Sequence, residues 1–260
     1  MKRLIVWLAN KRILNNIVFN NLLIALHLDH WFAHYINTYN YQNDHDPDNT
    51  KTLQEIAGYS QTQDMNELLA SIHEELVKVR DVELNEGARI LDIGCGPGLF
   101  LKNFGSEYQK VGIDITPGMI EYAKKEVPDA TFIVGDFIED DIEGKFDLIF
   151  SVGTLMYLSK STMKKFRKKV DSLLKQGGIV FLSYPHAISK KDLYYPDLTY
   201  NQYSPKYLEK LFQQGYKLES HFRSVDKKVL GKYDEDPFVN PRNPNYKTYQ
   251  NSSIIILRKL

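Results

Sequence analysis

Short apolar runs alternate with longer amphipathic segments from about residue 63 to the end of the chain. The short runs predict strands at 90–93, 110–114, 178–184, 217–226 and 249–258, with two further strands in the segments 131–137 and 146–158. The longer segments place an apolar residue at every third or fourth position and predict helices at 64–79, 116–126, 163–174 and 204–215. Strands that alternate with helices predict an α/β fold, with a mostly parallel sheet covered by helices on both faces.

The first 62 residues have a different pattern. Apolar positions between Leu14 and Tyr35 recur at helical spacing and predict one or two amphipathic helices that pack on the main domain. Residues 40–62 are polar and contain Asp46-Pro47-Asp48-Asn49, which predicts a loop. We therefore predict a helical extension with its linker over 1–62 and one domain over 63–260. The apolar runs of the extension are shorter than the roughly 20 residues that a membrane-spanning helix needs.

The segment Leu91–Phe100, LDIGCGPGLF, carries the strongest chemical signal. Three glycines follow the first strand, and the apolar residues after them predict the start of a helix over 99–104. Such a turn lets a nucleotide approach the backbone closely. A dinucleotide site needs a small residue where this chain has Leu99. Asp92 would also repel a pyrophosphate, whereas an acid there suits a cofactor with a cationic amino-acid end.

Acidic residues also lie at the ends of the second and third predicted strands. Asp114 lies 20 residues after Gly94, the distance at which a carboxylate meets the ribose hydroxyls of a nucleotide. Asp136 follows the third strand, and the segment Phe146–Leu158 contains the fourth. In this order, the segments resemble the motifs of class I S-adenosylmethionine-dependent methyltransferases over 88 to about 184. The resemblance implies a Rossmann-like doubly wound seven-stranded sheet with one antiparallel strand, and S-adenosyl-L-methionine as cofactor.

The resemblance also implies which residues hold the cofactor. It places the amino-acid end near the glycines, the ribose at Asp114, and the adenine between Ile115 on one side and Asp136 and Phe137 on the other. The implied cofactor-binding residues are Asp92, Gly94, Cys95, Gly96, Gly98, Asp114, Ile115, Asp136, Phe137 and Ser151.

The methyl acceptor is less defined by the sequence. Nucleobase and glutamine N-methyltransferases carry Asn/Asp-Pro-Pro-Tyr/Phe after the fourth strand, where this chain has Ser-Val-Gly-Thr over 151–154. We therefore expect a small-molecule or sugar-type acceptor, methylated on O, N or C. His186, after the fifth strand, is the candidate general base, and Tyr157 is a candidate to hydrogen-bond the acceptor. Tyr59 and His73 are further candidates from the covering segment, and each histidine also has the simpler interpretation of a surface residue without a role.

Composition narrows the class of partner. The formal net charge is zero and the pI is about 7.1, so no electrostatic feature favours nucleic acid. The basic run over 164–169 is interpreted as the solvated face of a helix. A single cysteine excludes an internal disulfide and fits a cytoplasmic protein, and no His/Cys cluster has metal-binding spacing.

Two alternative functions and the role of one segment stay open at this point. Basic residues with Trp7 and Trp31 in the extension are compatible with a membrane surface and a lipid or lipid-linked glycan acceptor, although packing on the core is favoured. A non-catalytic subunit with a cofactor fold is the second alternative. Residues 231–246, rich in Pro, Asn and Asp, form a substrate lid, an oligomer contact or a passive insertion. The oligomeric state does not follow from the sequence.

Overall fold

A computed structural model describes residues 52–57, 59, 63–158, 160–185, 203, 205–224 and 252–260 of the 260-residue chain. The predicted helices before residue 40, the 231–246 segment and His186 lie outside these residues. The α-helices are α1 (Leu53–Ile56), α2 (Gln63–Glu83), α3 (Pro117–Glu126), α4 (Lys160–Leu173) and α5 (Pro205–Phe212). The strands are β1 (Arg89–Ile93), β2 (Gln109–Asp114), β3 (Thr131–Val134), β4 (Phe146–Val152), β5 (Leu174–Pro185), β6 (Tyr216–Ser224) and β7 (Ser252–Lys259).

These seven strands form one sheet in the order β3-β2-β1-β4-β5-β7-β6. The strands β1 to β5 pair in parallel, and β7 inserts antiparallel between β5 and β6. The predicted fold class is therefore confirmed. The strand order reverses between β1 and β4, so the loops after these two strands leave the sheet in opposite directions. In open parallel sheets a ligand crevice forms at this point, beyond the carboxyl ends of the strands.

Two apolar layers cover the sheet. On one face, α2 contributes Ile72, Leu76 and Val79 to a cluster in which the rings of Phe104 and Phe150 stack at 5.7 Å between centroids. On the other face, the apolar side of α4 packs into a second cluster; its buried residues are Met163, Phe166, Val170 and Leu173. The lysines at 164, 165 and 168 are exposed, which agrees with their predicted solvated face.

The prediction of a helix after the glycines is wrong in the type of helix. Only a 3-10 helix forms there, over Leu101–Asn103, with the Asn103 and Phe104 N–H groups donating three residues back. Phe104 then turns extended and buries its ring against Phe150. Burial of this large ring holds the chain in an extended conformation at 104. Only residues 99–103 then remain between the glycines and Phe104, which are too few for a regular α-helix.

The polar segment before α2 also differs from its prediction as loop, because it contains α1. Thr52 and Glu55 form a complete capping box, with the Thr52 Oγ1 accepting from the Glu55 N–H and the Glu55 carboxylate accepting from the Thr52 N–H. The spacing Thr-x-x-Glu was readable in the sequence as this signal. In addition, β5 begins at Leu174, before the predicted turn, and Gly177 with φ +75° interrupts its pairing with β4.

Two further absences apply to the described ranges only. None of the helices there is long and apolar enough to cross a bilayer. Likewise, no group of three or more His, Cys, Asp or Glu residues in this part of the chain is arranged to hold a metal ion.

Candidate active site

The glycine loop, residues 94–98, turns the chain sharply at the carboxyl end of β1. Gly94, Gly96 and Gly98 all have positive φ, at +70°, +52° and +86°. A Cβ on Gly94 would lie 2.1 Å from the Oγ1 of Thr154, which follows β4. A Cβ on Gly98 would lie 3.2 Å from Val127, just after α3. The loop therefore needs glycine for its backbone conformation and, at Gly94, for the close approach of the loop after β4.

Asp114, the last residue of β2, joins the glycine loop to the start of α3. Its Oδ2 accepts the Gly96 N–H at 2.9 Å, and its Oδ1 accepts the Thr116 N–H at 2.8 Å. Thr116 occupies the predicted N-cap position of α3, although its side chain makes no capping hydrogen bond. The carboxylate is only partly buried. It is thus fixed in orientation at the mouth of the crevice, and carboxylate oxygens are good acceptors for hydroxyl donors.

Asp92 is an acid inside the sheet. It lies on β1 between Gly112 of β2 and Phe150 of β4 and is 2% exposed. Burial, together with the negative charge of Asp114, raises the pKa of Asp92 well above its ordinary value. Among the residues that the structure describes, no basic side chain pairs with it. A buried carboxylate without a counter-ion favours a bound cation.

Tyr59 approaches the same place from the segment before α2. Its N–H donates to the Gln54 carbonyl at 3.0 Å, and its ring packs against the cluster that contains Phe150. A Cβ on Gly153 would lie 2.6 Å from the Tyr59 hydroxyl. Burial, and secondarily the charge of Asp92, raises the pKa of Tyr59 above its ordinary value. His73, the other candidate from this region, is exposed on α2.

Two of the residues predicted to bind the cofactor make contacts inside the protein. Ser151 is fully buried, and its hydroxyl donates to the Ile93 carbonyl at 2.9 Å, so it ties β4 to β1. The Phe137 ring is 7% exposed and packs on Phe166 at 5.3 Å between centroids. Hydrogen bonding and apolar burial thus engage both side chains, and their expected contacts with the cofactor stay predictions.

The other candidates occupy intermediate positions. Asp136 accepts the Ile138 N–H at 2.8 Å and shapes the turn after β3, while Ile115 is partly exposed beside Asp114. The Cys95 thiol is buried over Gly112, and burial raises its pKa well above the ordinary value. A nucleophilic role for Cys95 is thereby disfavoured.

The tyrosine candidates on the acceptor side lie after β4 and on β5. Tyr157 lies in a 3-10 helix, Leu155–Tyr157, directly after the loop that faces Gly94, and is partly buried. Tyr184 on β5 is fully buried in the core. Thr154 was not singled out by sequence reasoning, because only the pairing of β1 with β4 brings it over the glycine loop.

Comparison with known protein families shows which type of domain this part of the chain is similar to. A family model described as a methyltransferase domain matches residues 90–178. Residues 90–178 therefore match a methyltransferase domain, in agreement with the resemblance found in the sequence. The matched range begins in β1 and ends in β5, so it includes the glycine loop, Asp114, Asp136 and the loop after β4.

Relatives of the methyltransferase domain have different acceptors. The malonyl-[acyl-carrier protein] O-methyltransferase of Anoxybacillus flavithermus is 39% identical over 87 residues, which are 31% of this chain and 34% of the relative. The dTDP-4-amino-2,3,4,6-tetradeoxy-D-glucose N,N-dimethyltransferase of Saccharopolyspora spinosa is 36% identical over 76 residues, 29% of this chain and 30% of the relative. The chain spans about one third to just over one half of the length of the curated relatives it matches.

A solved structure supports the fold of the methyltransferase domain. Magnesium protoporphyrin IX methyltransferase from Synechocystis, determined with bound SAM, aligns with a TM-score of 0.61 over 88% of this chain and 97% of that chain. The sequence identity is 16%, so this likeness concerns the fold alone.

Proposed function

We propose that the protein transfers the methyl group of S-adenosyl-L-methionine to a small-molecule or sugar-type acceptor. One observation carries the donor half of the proposal. The buried Asp92, without a counter-ion among the described residues, lies beside a glycine loop that is held by the carboxylate of Asp114. This arrangement suits a ligand with a cation at one end and hydroxyl groups at the other.

The domain's own residues would orient the donor rather than react with it. Asp92 would attract the ammonium group of the cofactor's amino-acid end, and Asp114 would accept the ribose hydroxyls. Asp136 and Ile115 would border the adenine. Gly94, Gly96 and Gly98 have no side chains, so the turn that they form with Cys95 would leave the crevice open to the cofactor. When bound, the cofactor supplies an electrophilic methyl group, and the rate then depends on how an acceptor is positioned in line with it.

The acceptor half of the proposal is supported by the relatives and by two residues of this chain. Relatives act on a protein-bound malonyl group and on a sugar nucleotide, so both oxygen and nitrogen acceptors occur among proteins similar to this domain. Tyr157 is proposed to hydrogen-bond the acceptor, since it lies directly after the loop that faces Gly94. His186 is proposed as the general base that takes a proton from a hydroxyl or ammonium acceptor. The single buried cysteine supports a reducing compartment such as the cytoplasm.

Calorimetry with the full chain tests the donor half. We expect S-adenosylhomocysteine to bind with one-to-one stoichiometry, and NAD⁺ to produce no heat. Failure of the wild-type protein to bind S-adenosylhomocysteine or S-adenosylmethionine would refute the enzymatic proposal. It would favour the alternative of a non-catalytic subunit with a cofactor fold.

Release of S-adenosylhomocysteine tests the acceptor half. Malonyl-acyl carrier protein, an amino-sugar nucleotide and a neutral hydroxylated sugar would be compared as acceptors. Turnover with one class and not with the others would identify the acceptor class. His186→Gln should then lower kcat by a larger factor than it changes KM. Turnover only in the presence of lipid vesicles would instead favour a lipid or lipid-linked acceptor.

A further inference from the structure

The donors available to an anionic ligand group at the glycine loop are few. Methionine-derived cofactors carry a carboxylate beside their ammonium group, and a carboxylate in a crevice needs hydrogen-bond donors. Four backbone N–H groups of the loop already donate inside the protein; they belong to Gly94, Cys95, Gly96 and Gly98. Pro97 has no N–H to offer. All four N–H groups of the loop are therefore already committed to internal hydrogen bonds.

Tyr59 provides a donor at this edge. Its hydroxyl sits over Gly153, close enough that a Cβ there would lie 2.6 Å away. Its ring rests on the same apolar cluster as Phe150, the register partner of Asp92. No hydrogen bond within the described residues engages the Tyr59 hydroxyl. The raised pKa of Tyr59 keeps the phenol protonated, so that it donates a proton at neutral and alkaline pH.

Local structure holds Tyr59 in this position. The Thr52–Glu55 capping box stabilises α1, and the Tyr59 N–H donates to the carbonyl of Gln54. The Gln54 side chain in turn donates to Asn66 of α2 at 2.7 Å. Two elements thus fix the backbone from which the phenol projects, which is the preorganisation that a ligand-binding group requires.

We propose that Tyr59 donates its hydroxyl proton to the α-carboxylate of the S-adenosyl ligand, while Asp92 holds the adjacent ammonium group. The inference rests on the proposed function, since it concerns the same ligand. Tyr59 and Asp92 then form a complementary pair for a zwitterion, with one neutral donor and one anionic acceptor. A ligand that carries both charged groups would therefore bind more tightly than a ligand that carries only one of them.

Three ligands separate the two roles in the full-length protein. S-adenosylhomocysteine has both charged groups, its decarboxylated analogue keeps the ammonium group, and methylthioadenosine has neither. We expect Tyr59→Phe to weaken S-adenosylhomocysteine about tenfold, as for a lost hydrogen bond to a charged group, and to leave the other two within about twofold. Asp92→Asn should weaken the first two ligands and leave methylthioadenosine unchanged.

The matched control is Tyr108→Phe, which removes a phenolic hydroxyl just before β2, at the opposite edge of the sheet. It should leave all three affinities unchanged. Equal weakening of all three ligands by Tyr59→Phe would mean that Tyr59 only shapes the pocket, and the inference would be overturned. No weakening of S-adenosylhomocysteine would overturn it as well. If the wild-type protein binds none of the ligands, the proposed function itself fails, whereas wild-type binding with an unchanged ligand profile in Tyr59→Phe rejects the inference alone.

Discussion

The carboxylate of Asp114 accepts the backbone N–H of Gly96 over 2.9 Å, so a side chain at the end of β2 determines the shape of a loop that follows β1. Its other oxygen accepts the Thr116 N–H at the entrance to α3. One acid therefore connects three elements at the carboxyl edge of the sheet. We expect its loss to affect the loop as well as any direct contact with a ligand.

Asp114→Ala should weaken S-adenosylhomocysteine binding by at least about tenfold, because charge-assisted hydrogen bonds to ligand and loop disappear together. Asp114→Asn should bind no better, since its amide N–H would face one of the two backbone donors. Calorimetry measures both affinities, with Asp141→Ala, at an exposed position, as control. Wild-type affinity in Asp114→Ala would show that the ribose position is assigned incorrectly.

The glycines of the loop differ in why they are needed, and thermal denaturation can separate the reasons. Gly96 has positive φ, but a Cβ added to it would meet only open space, so Gly96→Ala should cost about 1–2 kcal/mol of backbone strain. Gly94→Ala adds the clash with Thr154 and should cost about 1–3 kcal/mol more.

Thr154→Ala supplies the internal control for this comparison. It removes the Oγ1 and Cγ2 atoms nearest to the added methyl group but leaves the Thr154 Cβ at 2.9 Å. The double variant Gly94→Ala/Thr154→Ala should therefore regain part of the lost melting temperature. Additive losses in the double variant would contradict the close packing of the two loops.

Asp92 should make the ligand-free protein less stable as pH rises. The folded state raises its pKa, so above about pH 4 the unfolded chain releases a proton that the folded protein retains. Stability then falls with increasing pH until the folded carboxyl also ionises. Asp92→Asn removes this dependence, and its melting temperature relative to wild type should increase between pH 4.5 and pH 7.5 by roughly several degrees.

The same variant should lose the stabilisation that S-adenosylhomocysteine gives to the wild-type protein. A gain in ligand-free stability combined with a loss of ligand response would identify Asp92 as a group retained for binding. A melting-temperature difference that does not change with pH would contradict the raised pKa.

Cys95 is the only cysteine of the chain, which makes its burial directly measurable. Cys95 is 5% exposed and the pKa of its thiol is raised, so little thiolate is present and access is restricted. At pH 8 it should react with a disulfide reagent at least about tenfold more slowly in the native protein than in denaturant. Rapid labelling of one thiol in the native protein would refute this packing.

Several elements of the fold were predictable because they depend on local chemistry. Pro117 and the residues after it predicted α3, and the spacing of apolar residues on α4 predicted which of its sides is buried. The helix after the glycines was mispredicted, since the burial of Phe104 against Phe150 outweighs the helical pattern of 99–104. Phe104 and Phe150 are too far apart in the sequence for a local pattern to predict their contact.

The sequence by itself determined the turn after β1, the acids at the end of β2 and after β3, and the resemblance to a family of methyl-transfer enzymes. These features depend on residue type and on spacing along the chain. The tertiary structure decided which side chains reach the crevice: it brought Thr154 over Gly94 and Tyr59 over Gly153, and it used Ser151 and Phe137 inside the core. The physical reason is that strand pairing and apolar burial bring together residues far apart in sequence, and each side chain can satisfy only the partners that this packing places within reach.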